Sequence, residues 1–141
     1  MNVIFDANII LSFLLTRGFI ISSLFSYWDN NAFTLLVSDS ILEEYTLVLE
    51  RLVEKKLIKK REANNLLRKI IKNSKKITIV SKLDVSPDKK DNRYIECAKD
   101  GKANYLVSRD ENDLLAIKKY EYTKFISAKE LLDLLRNNDF N

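Results

Sequence analysis

Short apolar runs alternate along this chain with longer segments whose apolar residues recur at helical spacing, and that alternation most constrains the fold. A strand covered on both faces reads as a brief, nearly continuous apolar run, because neither face meets water. Five such runs stand at residues 2–5, 33–37, 77–80, 105–107 and 123–126. The first is Val3-Ile4-Phe5, which ends abruptly at Asp6.

Helical patterns fill the intervals. Ile9, Ile10, Phe13 and Leu14 follow the first strand directly, and residues 19–27 form a second helix closed by the polar turn Asp29-Asn30-Asn31. Ser38 or Ser40 can cap the next helix, with Ser40-x-x-Glu43 fitting a capping box, and Ile41, Leu42, Tyr45, Val48, Leu49 and Leu52 as its stripe. Ala63, Leu66, Leu67, Ile70 and Ile71 give a helix over 60–71. Residues 81–90, with Pro87, are the one loop-like stretch of any length. A helix over 91–100 follows, with Tyr94, Ile95 and Ala98 inward and Gly101 as its stop, then a short helix over 114–118. Ser127-x-x-Glu130 opens the last helix, which runs to about Arg136.

The order β-α-α-β-α-α-β-α-β-α-β-α predicts an α/β fold with a central parallel sheet of four to five strands and helices on both faces. With 141 residues and no repeat or linker, residues 1–141 are expected to form a single domain. Only 2 Gly and 1 Pro argue against a turn-rich all-β fold. No apolar run approaches the roughly 18 residues that a membrane span needs. The sequence enters Val3-Ile4-Phe5 without a basic leader, so the expected location is cytoplasmic.

Two absences narrow the chemistry. With no histidine, Ser-His-Asp and Cys-His catalysis and His-rich metal sites are excluded within the chain. The single Cys97 allows neither an internal disulfide nor a CxxC motif, and reads as a small buried apolar residue. Carboxylates, hydroxyls, amides and lysines remain. The net charge of +4 is unevenly spread: ten Lys and Arg residues stand between Lys55 and Lys76 against Glu62 alone. Such a stretch is either a solvated helical face or a surface for a polyanion such as RNA.

In an open parallel sheet, ligands bind beyond the carboxyl ends of the strands, where the strand order reverses. Asp6 follows the first strand and Asp110 the fourth, with Asp113 three residues on. Asp91 opens the helix that leads to the fourth strand, and Glu43 and Glu44 lie early in the helix after the second. An acid in a first helical turn has an ordinary explanation, since it favours the macrodipole by ~0.3–1 kcal/mol. Asp6 is harder to explain that way, because it interrupts an apolar segment where burial without a partner is costly. If these acids meet, they need a counter-ion, and oxygen-only donors suit Mg2+ or Mn2+. Such an ion would make histidine-free hydrolysis of a phosphodiester feasible.

Four pieces carry a family resemblance: Val3-Ile4-Phe5-Asp6-Ala7-Asn8 with Ser12 downstream; Ser38 to Tyr45, containing Glu43-Glu44-Tyr45; Asp91-Asn92-Arg93-Tyr94-Ile95-Glu96-Cys97-Ala98; and Tyr105-Leu106-Val107-Ser108-Arg109-Asp110 with Asp113-Leu114-Leu115. In this order they resemble PIN-domain ribonucleases, especially the small toxin components of type II toxin–antitoxin pairs. The resemblance implies a metal-dependent endoribonuclease acting on single-stranded or structured RNA, a cognate antitoxin and a homodimer. Asp6, Glu44, Asp91 and Asp110 match the catalytic and metal-site acids, with Asp113 as a possible fifth. Asp6 and Asp91 are the expected direct ligands, while Glu44 and Asp110 bind a second ion or act through water. Glu44 rather than Glu43 matches because it immediately precedes the aromatic residue. Asn8 and Ser108 match the polar residues that orient these groups. Lys55, Lys56, Lys59, Lys60 and Lys72 are candidates for holding RNA.

Ala7 departs from the family pattern, where threonine or serine is common, and Asp88 adds an acid beside Asp91. A haloacid-dehalogenase-type phosphotransferase would want a carboxylate where Asn8 stands. A receiver domain would want adjacent acids after the first strand and a phosphoacceptor site after the third. The remaining alternative is a catalytically weak PIN-like module that binds RNA or protein.

Overall fold

The computed structural model describes residues 1–139. Its strands are β1 (Asn2–Phe5), β2 (Thr34–Val37), β3 (Lys75–Lys76), β4 (Tyr105–Val107), β5 (Lys119–Tyr120) and β6 (Thr123–Ile126). The helices are α1 (Ala7–Leu15), α2 (Phe19–Asp29), α3 (Asp39–Glu54), α4 (Lys60–Asn73), α5 (Asn92–Gly101), α6 (Leu114–Ile117) and α7 (Ala128–Asp139). The sheet runs β3-β2-β1-β4-β6-β5, parallel throughout except for the antiparallel β5–β6 ribbon.

From β1 the chain steps to β2 and β3 on one side, then returns past β1 to β4. Because such crossovers are right-handed, the reversal puts α1–α4 on one face and α5 on the other. The contacts agree: α1 packs on α2 and α3, α3 on α4 and α2 on α7, whereas α5 lies on β1, β2 and β4. Strands covered on both faces must be apolar on both, and Val3, Ile4 and Phe5 are all fully buried.

An aromatic cluster anchors the end of β1. The Phe5 ring lies 5.7 Å from Phe25 and 5.8 Å from Phe33, and Phe13 stacks on Phe25 at 3.9 Å. Burying each such ring contributes about 1.5–3 kcal/mol, so the last residue before Asp6 is firmly seated.

One local feature decides between the two caps that the sequence offers, and three differ from the sequence reading. Ser38, not Ser40, caps α3: its side chain accepts from the Ile41 amide at 3.2 Å. The stop of α5 is Lys102, which takes the left-handed conformation at φ 52°, while Gly101 ends the helix itself. What Gly101 supplies is room, since a Cβ there would lie 2.9 Å from both Ile77 Cγ1 and Leu36 Cδ1. The β5–β6 ribbon is an added antiparallel edge, entered through Lys118 at φ 68° and turned at Glu121 at φ 51°.

The third strand is the largest difference. Pairing with β2 covers Lys75–Lys76, and only the Ile77 amide, bonded to the Val37 carbonyl at 2.8 Å, extends it toward residues 77–80. Beyond that point side chains of α5 take over the backbone amides. Asp100 accepts from Val80 at 2.8 Å and Ser81 at 2.9 Å, Glu96 from Leu83 at 2.9 Å, and Asn92 from Val85 at 3.0 Å and Ser86 at 2.8 Å. Asn92, Glu96 and Asp100 are four residues apart and so share one helix face. This ladder satisfies a strap, residues 80–86, that would otherwise need a neighbouring strand. The strap then delivers Asp88 and a 3-10 turn, Lys89–Asp91, to the carboxyl end of the sheet.

Candidate active site

The strand order reverses between β1 and β4, and their carboxyl ends open there. The Asp6 amide donates to the Val107 carbonyl at 3.0 Å, so Asp6 begins its turn from the sheet edge. It then caps α1, with Oδ1 accepting from the Asn8 amide at 2.5 Å. The Ser108 hydroxyl donates to Oδ2 and itself accepts from the Asp110 amide at 2.9 Å. Asp110 Oδ1 in turn accepts from the amides of Asn112 at 3.2 Å and Asp113 at 3.1 Å. Asp6, only 4% exposed, is therefore joined through Ser108 to the whole turn after β4.

Two buried tyrosines hold the backbone on either side of Asp6. The Tyr45 hydroxyl of α3 donates to the Phe5 carbonyl, and the Tyr94 hydroxyl of α5 accepts from the Ala7 amide at 3.1 Å. Burial pushes both phenols far above their ordinary range, with Tyr94 raising Tyr45 and Asp6 raising both. Glu44 precedes Tyr45 and is turned roughly 100° from it around α3, at the rim rather than in the core.

A cleft of about 360 Å3 opens at this edge, lined by Asp6, Asn8, Glu44, Asp88, Asp91, Tyr94 and Asp110, with Arg51 and Lys55 among its cations. Arg93 Nη1 lies 3.9 Å from Glu44 Oε2 and donates to the Ser40 carbonyl at 2.9 Å, tying α5 to α3. Asp88, Asp91 and Asp113 can bring one oxygen each to within 4.8 Å of one another.

Crowding of like charges shows in the proton affinities. Burial and the neighbouring Asp88, Asp6, Asp110 and Asp113 push Asp91 up to about 7. Burial also raises Asp6, against the bonds from Ser108 and Asn8, and Asp110 and Glu44 raise it further. Asp113 is raised by desolvation and by Asp110 and Asp88. Acids pressed together in this way fit a divalent cation, and an all-oxygen donor set fits the Mg2+ or Mn2+ class.

A family profile for the PIN domain matches residues 2–112, which carry the cleft and the strands around it. The chain belongs to the PIN-domain family. PIN domains are generally nucleases that use divalent metal, which makes this chain a nuclease-type hydrolase by family. No curated protein matches the sequence closely enough to serve as a named relative.

In this PIN domain Asp6, Glu44, Asp91 and Asp110 line one cleft, and Glu43 is exposed outside it. Asp113 stands beside Asp91 and Asp88. Ser108 reaches Asp6 through its hydroxyl, while Asn8 does so through its backbone amide. Of the basic candidates only Lys55 lines the acid cleft. Lys60 lines a groove between α3 and α4, and Lys56, Lys59 and Lys72 are exposed elsewhere. Sequence reasoning missed Tyr45 and Tyr94 as hydrogen-bonding groups, because both fall on apolar helical stripes. It also missed Arg51, two helical turns beyond Glu44 on α3, and Arg93, which only the fold brings to Glu44.

Proposed function

We propose that this PIN domain is a metal-dependent endoribonuclease that hydrolyses phosphodiester bonds of single-stranded RNA. The observation that carries the reading is the gathering of Asp6, Glu44, Asp91 and Asp110 around one cleft at the β1–β4 seam. Asp6 and Asp91 would hold Mg2+ or Mn2+ directly, and Glu44, Asp110 and Asp113 would complete the site through water or a second ion. When bound, such a cation lowers the pKa of water and offsets charge on the phosphate.

The chain's own residues do the rest. Ser108 and the Asn8 amide orient the two Asp6 oxygens, and the tyrosines fix the backbone that carries them. Asp91, raised to about 7, is partly protonated near neutral pH, and a bound cation would favour its charged form. Arg93, with Nη1 3.9 Å from Glu44, offsets part of that carboxylate's charge beside the cleft. Arg51 and Lys55 offer positive charge to the substrate's phosphates at the lip of the same cleft.

The likeness of the acid motifs to toxin ribonucleases supports a role as the toxin of a toxin–antitoxin pair, with a cognate antitoxin, a homodimer and action in the cytoplasm. The deciding experiment is cleavage of single-stranded RNA with Mn2+, with chelator, and with Asp6→Asn and Asp91→Asn. Cleavage that needs the metal and is lost in both variants is expected. Cleavage that persists in both would sink the assignment, and RNA binding without cleavage would favour a binding module.

A further inference from the structure

On the other flank of the turn after β4 lies a larger groove of about 780 Å3, walled by Phe19, Ile20, Ser108, Arg109, Leu115 and Lys129. The turn after β4 separates it from the acid cleft, and three consecutive residues link the two. Ser108 and Arg109 line the groove, Asp110 lines the cleft, and Ser108 is bonded to Asp6. Arg109 is held at this junction by a bond from Nη1 to the buried Ser12 hydroxyl at 2.6 Å. Phe19 is 69% exposed, and the Arg136 guanidinium lies 5.2 Å from its ring centre.

The lining joins an apolar floor to a cationic rim, and Glu111 is its one acid. That combination differs from the α3–α4 groove, where Glu50 and Glu54 stand against Lys60 and no aromatic ring lines the wall. An unpaired nucleotide needs both parts, a flat apolar or guanidinium surface for the base and cations for the flanking phosphates. A base locked in a duplex cannot present its face in this way.

We propose that this groove takes an unpaired nucleobase of the RNA next to the cleaved bond, stacked on Phe19 with its phosphates facing Arg109 and Lys129. The inference rests on the nuclease reading and adds to it a positional demand: the substrate must offer a stackable base beside the scissile phosphate.

Steady-state cleavage by the full chain with Mn2+ tests it, using a short single-stranded oligoribonucleotide and analogues with one abasic nucleotide at each position. Phe19→Ala is expected to raise KM for the intact oligonucleotide at least about fivefold, the scale of one lost base stack. An abasic nucleotide at one position beside the cut should cost wild type a similar factor and cost Phe19→Ala little more. Phe19→Tyr should restore the wild-type KM. An unchanged KM for Phe19→Ala, or an equal rise on intact and abasic oligonucleotides, overturns the proposal. So does an altered sedimentation coefficient with unchanged KM, which would assign the groove to a contact between copies of the chain. If wild type neither cleaves nor binds the oligonucleotide, the nuclease reading falls too; if wild type cleaves and Phe19→Ala matches it, only the groove falls.

Discussion

Ser108 donates a hydrogen bond to Asp6 across the seam between β4 and β1, so two residues 102 positions apart act as one unit. The bond holds one Asp6 oxygen in place, favours its charged form and leaves Ser108 free to accept from Asp110. Removing the hydroxyl should therefore affect metal binding more than folding.

Ser108→Ala is expected to weaken Mn2+ binding by about 10–100-fold, the usual cost of losing a group that orients a ligand. The Asp6 carboxyl should titrate still higher. Isothermal titration with Mn2+, beside a urea melt that reports folding, separates the two effects. Unchanged Mn2+ affinity would show that Ser108 does not position Asp6.

Tyr45→Phe and Tyr94→Phe each strand one buried backbone group beside Asp6, the Phe5 carbonyl and the Ala7 amide respectively. Each should lose about 1–3 kcal/mol of stability by urea denaturation, the cost of an unsatisfied buried polar group. The rings stay, so packing is preserved, and cleavage by the folded fraction should fall as Asp6 loses its fixed frame.

The pH dependence follows from Asp91, whose carboxyl is raised from 3.8 to about 7. The folded state binds this proton more tightly than the unfolded chain. The stability it contributes is therefore complete below the unfolded value and is lost as pH rises through the folded one. Without metal, the urea midpoint of wild type should fall relative to that of Asp91→Asn between pH 3.8 and about 7. Mn2+ affinity should climb over the same interval, since the ligand must shed its proton. Parallel wild-type and Asp91→Asn profiles would refute this.

Gly101→Ala sets helix propensity, worth about 0.8–1 kcal/mol in favour of alanine, against a methyl group 2.9 Å from Ile77 Cγ1 and Leu36 Cδ1. Leu36 is fully buried, so any shift of its side chain disturbs the packing around it. Overpacking costs typically about 1–3 kcal/mol, so a net loss is expected in thermal or urea melts.

Much of this is legible in the sequence. Strands β1, β2, β4 and β6 are plain in the chain because burial on both faces leaves apolar runs. The acids were visible because Asp6 interrupts such a run and Asp110 follows another. Residues 77–80 misled because apolar character cannot reveal that α5 side chains will claim the amides further on. Strand β5 and its turn into β6 give no signal, since Lys118 and Glu121 adopt positive φ where glycine or asparagine would have marked a turn. Tyr45 and Tyr94 were read by their rings, and their hydroxyls matter because of where the fold brings them.

The ladder of Asn92, Glu96 and Asp100 makes α5 a ruler for the strap. Each four-residue step along the helix advances about 6 Å, and the strap's bonded amides fall at 80–81, 83 and 85–86 to match. Ordinary surface loops absorb inserted residues cheaply. Here an insertion or deletion before Asp88 would throw the amides out of step with the helix and displace that acid from the cleft. A segment with no regular secondary structure is thus as fixed in length as a strand.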